Sequence, residues 1–90
     1  MKFKNIEALT VCFYPDEREK ERYALRELVY TISGCGQDVT GPLYRGNIRS
    51  IKDLHNASID ELRRLRDVGP KKLTAILKVK EFINESIEEP

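Results

Sequence analysis

Ninety residues are enough for one small domain, and a chain of that length buries only ~60% of its unfolded surface, which argues against a two-domain enzyme with an enclosed active site. Hydrophobic residues make up 40% of the chain and charged residues 34%, so a core can form but the surface is charge-rich. With 8% aromatic residues and no Trp, the composition argues against a stacking groove for single-stranded nucleic acid.

The net charge of +1 hides an uneven distribution. Residues 1–40 carry six basic and seven acidic groups, residues 41–80 carry ten basic and four acidic, and residues 81–90 carry four Glu and no base. A basic block inside a near-neutral chain points to a polyanion partner.

Residues 1–15 read as an N-terminal arm. Thr10 to Tyr14 is β-prone, but no second strand is evident to pair with it, so residues 6–14 are expected to form an arm or short helix packed on the core. Pro15 ends this segment. The segment has no signal-peptide pattern, no run approaches membrane-spanning length, and the expected location is cytoplasmic.

Asp16 is positioned to cap a helix, with Glu19 three residues on as in a capping box. Leu25, Leu28, Val29 and Ile32 then form a stripe at helical spacing, and Gly34 is the expected stop. Residues 34–47 are rich in turn formers, and one short helix is expected to start at Pro42 and carry Leu43 and Tyr44. The pattern Val29-Tyr-Thr-Ile32-Ser-Gly34-Cys35-Gly36 admits a second hairpin, although a glycine cap followed by a loop explains it more cheaply.

Two capping boxes follow. Ser50-Ile-Lys-Asp53 opens a short helix with Ile51 and Leu54, and Ser58-Ile-Asp-Glu61 opens another with Ile59, Leu62 and Leu65. Residues 66–69 form a tight connection, and Pro70 suits the first position of the last helix. Leu73, Ile76, Leu77, Lys80 and Ile83, with Val79 and Phe82 beside them, mark its apolar face. The helical core is expected over 16–83 and a flexible acidic tail over 84–90. The fold class is therefore all-α: a compact bundle of four or five short helices with an N-terminal arm.

Cys12, Cys35 and His55 are too few for a tetrahedral zinc site, and no C-x-x-C pair exists. The thiols read as reduced and structural, and His55 as a helix-end residue. Tyr23, Tyr30 and Tyr44 read as core or rim residues. No nucleophile–base pair, carboxylate pair or cofactor motif stands out, so no catalytic residue, metal or cofactor is expected.

The informative stretch is Leu62-Arg-Arg-Leu65-Arg-Asp67-Val68-Gly69-Pro-Lys71-Lys72-Leu73. Leu62 and Leu65 pack the first helix, and Val68 plugs the hairpin into the core. Gly69 lets the backbone approach a ligand, and the free N–H groups of the next helix make a phosphate site. Arg63, Arg64, Arg66, Lys71 and Lys72 surround that turn with positive charge. This stretch resembles the helix-hairpin-helix motif, apolar-x-x-apolar-x-Gly-apolar-Gly, with Asp67 at the first Gly. Asp tolerates the left-handed conformation better than most residues.

Residues 48–77 as a whole resemble the C-terminal domain of the bacterial RNA polymerase alpha subunit. The likeness rests on Ile48, Ile51-Lys-Asp53-Leu54, Ser58-Ile-Asp-Glu61-Leu62, Val68-Gly69-Pro-Lys71 and Leu73-Thr-Ala-Ile76. It implies backbone contact at the minor groove through Gly69 and Lys71. The family's groove-inserted Arg falls on Asp38 and its following Asn on Gly41, and Gly41-Pro42 is expected to break the family's first helix. Arg45 and Arg49 are the nearby candidates to take that arginine's place.

The expected function is a non-enzymatic, transcription-related module that binds double-stranded DNA weakly through its backbone. The DNA-binding residues are Arg63, Arg64, Arg66, Val68, Gly69, Lys71 and Lys72, with Arg45 and Arg49 as secondary contacts. The alternative is a protein-interaction module that docks on RNA polymerase or a transcription factor and keeps the hairpin as scaffold. No membrane partner is expected.

Overall fold

The computed structural model describes residues 2–13 and 20–88. Among them are six helices: α1 (Ile6–Phe13), α2 (Lys20–Ser33), α3 (Gln37–Arg45), α4 (Ile51–Asn56), α5 (Ile59–Arg63) and α6 (Pro70–Ser86). Pro15 and the Asp16–Glu19 capping box lie outside the described residues.

The N-terminal segment is a helix because Asn5 caps it. Its Oδ1 accepts the Ala8 N–H at 2.9 Å, and the Thr10 hydroxyl is absorbed by the Ile6 carbonyl at 2.8 Å. Leu9 is fully buried, which fixes α1 on the core against α2. Cys12 is exposed on α1 rather than packed, and Cys35 is half-buried; both are free thiols.

Helix α2 follows its apolar stripe. Leu25, Leu28 and Val29 are fully buried, and Ile32 packs partly against them. The helix stops where Gly34 takes a φ of +73° and donates its N–H to the Tyr30 carbonyl at 2.9 Å. A side chain there would meet the steric penalty of the left-handed region. Tyr30 is 62% exposed, so it is a surface residue and not a core or rim one.

The expected break at Gly41-Pro42 does not occur. Helix α3 runs from Gln37 through Pro42 to Arg45 and buries Val39, Thr40, Pro42 and Leu43 on one face. Two physical reasons account for this. The residue before a proline is normally pushed out of the helical region by its own Cβ, and Gly41 has none. The hydrogen bond that Pro42 cannot make would go to Asp38, an exposed first-turn residue. The helix ends in a Schellman motif. Asn47 takes φ +66°, Ile48 N–H reaches the Leu43 carbonyl at 2.8 Å, and Asn47 N–H reaches that of Tyr44 at 3.2 Å.

Both expected serine caps form. Ser50 Oγ accepts the Asp53 N–H at 3.0 Å, and Ser58 Oγ accepts that of Glu61 at 3.1 Å. Asp53 completes its cap by accepting the Arg49 N–H at 3.1 Å. Ile51, Leu54 and Leu62 are fully buried.

Helix α6 buries Ile76, Val79 and Ile83, so Val79 sits at the centre of the face and Lys80 at its edge. Lys80 Nζ donates to the carbonyls of Leu54 and His55 at 3.2 and 2.6 Å, closing the C-terminus of α4. His55 occupies the last turn of α4, as expected of a helix-end residue. Burial pushes the Lys80 ammonium below its ordinary value, and the Glu61 carboxylate opposes this. A lowered amine pKa means that the unfolded chain binds more protons between the lowered value and 10.5. Stability from this group is therefore present above 10.5 and lost as pH falls through the folded value. Lys80→Met keeps the packed stem but leaves two carbonyls unpaired, and is expected to cost about 1–2 kcal/mol. Urea midpoints measured at neutral pH and at about pH 10 test this, because the variant also loses the alkaline gain.

The tail expectation is corrected. Helix α6 continues to Ser86, and both Ser86 and Ile87 are 7% exposed. Phe3 forms a parallel bridge with Ile87: its N–H donates to the Ser86 carbonyl, and its carbonyl accepts the Glu88 N–H at 2.8 Å. The arm and the chain end thus hold each other, and the packed core extends past 83. One apolar cluster gathers residues from Leu9 to Ile87.

Candidate nucleic-acid interface

The basic residues gather at the α5–α6 connection. Ser58 starts α5, and burial of Leu62 pulls its short single turn onto the core. The chain then turns at Arg64. Leu65 is half-buried and so close to Gly46 that a Cβ on Gly46 would overlap its Cδ2. This seats the connection on the C-terminus of α3.

Asp67 takes φ +65°, the left-handed conformation that Asp tolerates better than most residues. The backbone reversal lets Val68 return to the apolar cluster. Gly69 is the N-cap of α6, with extended backbone and no side-chain cap. Pro70 occupies the first helical position, and Leu73 N–H closes on the Gly69 carbonyl at 2.9 Å. Helical geometry leaves the N–H groups of Lys71 and Lys72 without intrahelical partners. A Cβ on Gly69 would meet nothing within 4 Å, so the space beside this N-cap residue is open.

Arg63, Arg64, Arg66 and Lys71 are exposed around this turn. Lys72 differs from Lys71. It is half-buried and donates from Nζ to the Asp67 carbonyl at 3.3 Å, so it staples the turn closed. Arg45, on the last turn of α3, is also brought here: its Nη2 lies 3.4 Å from Asp67 Oδ2. Both side chains are more than 60% exposed, so this ion pair contributes at most about 1 kcal/mol. Arg49 is held elsewhere, with Nε donating to the Tyr44 carbonyl at 3.3 Å.

The site is thus a helix start with two amides that lack intrahelical partners, the positive end of a helix dipole and six nearby cations, of which Lys72 and Arg45 are engaged with Asp67. Among the described residues no group of three His, Cys, Asp or Glu could hold a metal ion. None of the described helices is long and apolar enough to cross a membrane. Arg45 meets the α5–α6 turn at Asp67, 22 residues away, a contact that no local pattern signals. No protein-family model matches the chain, and no curated protein or solved structure matches it either.

Proposed function

We propose that this protein is a small, non-enzymatic DNA-binding module of the kind represented by the C-terminal domain of the bacterial RNA polymerase alpha subunit, acting in transcription. The observation that carries this reading is the uncapped start of α6 at Gly69, with Arg63, Arg64, Arg66, Lys71 and Lys72 around one turn. The amides and the dipole receive a phosphate, and the cations supply the long-range attraction. The motif is read as a helix-hairpin-helix on this basis, with Asp67 in the left-handed position.

Such contacts see the backbone and not the bases. With Asp38 where the family inserts an arginine, and with Arg45 and Arg49 bonded to Asp67 and to the Tyr44 carbonyl, no marked preference for the narrow minor groove of A-tracts is expected. Binding by the isolated chain is therefore expected at ~10⁻⁴–10⁻⁶ M at physiological salt. An amide-shift titration with A-tract and G·C-rich duplexes of equal length tests the reading. Shifts should centre on residues 66–73, with the two affinities within tenfold, ~1.4 kcal/mol. A larger preference for the A-tract would place Arg45 or Arg49 in the groove. Silence with both duplexes at low salt would leave protein docking as the role of this surface.

A further inference from the structure

A concave surface lies between α2 and α3. It is a groove of about 240 Å³ lined by Arg26 from α2 and by Gln37, Thr40, Gly41, Tyr44 and Arg45 from α3. At ~30 Å³ per water, that is room for roughly eight waters. Gln37 and Arg45 are the first and last residues of α3, so the groove follows the whole helix.

Gly41 is one of its lining residues and leaves that part of the lining without a side chain. A Cβ on Gly41 would stand 3.5 Å from Arg45 Nη1, so that guanidinium lies back toward Gly41. Its other nitrogen, Nη2, reaches out to Asp67 of the hairpin at 3.4 Å. One side chain therefore touches both the groove and the α5–α6 turn. On the opposite wall, the Arg26 guanidinium sits over the Tyr23 ring at 4.8 Å and its Nη2 stands 4.0 Å from Glu27 Oε1, beyond hydrogen-bond length.

Among the described residues, the acidic groups near the groove are Glu27 and Asp67, each drawn to one arginine, and Asp38 in the first turn of α3. Each guanidinium has five donors and a permanent charge, and among the described residues each pairs with a single carboxylate. Two forked cations across a small cleft, with the Gln37 amide at one end, suit an anion that offers several oxygens to both walls. Phosphate has that form, and arginine is the side chain that binds it in pairs of parallel hydrogen bonds.

We propose that the α2–α3 groove binds a phosphate group between Arg26 and Arg45, as a second grip on the DNA backbone held at the hairpin. The site rests on the DNA reading only for the source of the phosphate; its chemistry is the same for a free phosphomonoester. Arg45 joins the two grips, because its Nη1 lies at the groove while its Nη2 reaches Asp67 at the α5–α6 turn.

The test is an amide-shift titration of the full chain with inorganic phosphate, a nucleoside monophosphate and a short duplex at low salt, repeated with Arg26→Ala. The amides of residues 37–45, Pro42 excepted, should shift with each probe. In Arg26→Ala their apparent affinity should fall about tenfold, ~1.4 kcal/mol, while residues 66–73 keep their response to duplex. Arg26 is partly exposed, so the variant should fold, and Arg26→Lys should fall between the two as a cation without the fork. A duplex that moves 66–73 and leaves 37–45 still would overturn the groove and leave the DNA reading standing. Phosphate moving 37–45 while duplex moves neither segment would uphold the groove and remove DNA as its source. No movement at 37–45 with any probe, or an unchanged response in Arg26→Ala, would overturn the site.

Discussion

Deleting residues 85–90 is expected to lower the melting temperature by about 10 °C or more. The loss follows from what the last turns hold. Ile87 is 7% exposed and belongs to the apolar cluster, and its neighbours on both sides bond to the Phe3 backbone. Removing a buried isoleucine side chain costs ~2–5 kcal/mol. In a domain of this size each kcal/mol moves the midpoint by ~4–8 °C. Ile87→Ala should account for most of the effect, and Glu88→Ala, which keeps the backbone bond, for little of it. A deletion variant that melts within about 2 °C of the parent would mean that the bridge between Phe3 and Ile87 carries no stability.

Lys71→Glu with Lys72→Glu should weaken duplex binding at least about tenfold, ~1.4 kcal/mol, and equally for A-tract and G·C-rich sequences. The salt slope should fall by about one for each phosphate that the variant no longer neutralises. The two lysines are not equivalent in the structure. Lys71 is exposed at the helix start, whereas Lys72 closes the turn onto the Asp67 carbonyl. Lys71→Glu alone should thus retain the fold, since a carboxylate in the first turn of a helix interacts favourably with its dipole. Lys72→Glu should also loosen the turn, which hydrogen exchange at Val68 and Gly69 would report. Unchanged duplex affinity in the double variant would remove the hairpin as the phosphate grip.

Local chemistry was legible wherever one residue controls its own neighbourhood. The serines at 50 and 58 cap the helices they precede, because each hydroxyl needs only an amide three residues on. Gly34 ends α2, Asp67 takes the left-handed turn, and Pro70 opens α6 for the same local reason. Leu25, Leu28 and Val29 are buried as their spacing requires. The clustering of Arg63, Arg64, Arg66 and Lys71 at one turn also follows from the chain alone, since residues so near in sequence around a tight connection must share it.

Other features depend on partners distant in the chain, and no window of residues carries that information. Gly41-Pro42 reads as a break by propensity, yet the helix persists because the buried face of Val39, Pro42 and Leu43 outweighs one missing hydrogen bond. The acidic composition of 81–90 reads as a solvated tail, yet Phe3 pairs with Ile87 across almost the full length of the chain. Lys80 belongs by spacing to an apolar stripe, and only the approach of α4 supplies the carbonyls that hold its ammonium. Arg45 and Arg26 sit on different helices, and the packing of α2 on α3 alone makes them two walls of one groove. Sequence determines turns, caps and faces because their energies arise within a few residues. The pairing of faces, and with it the chain-end bridge and the groove, is decided by how the apolar surfaces of the helices close over one core.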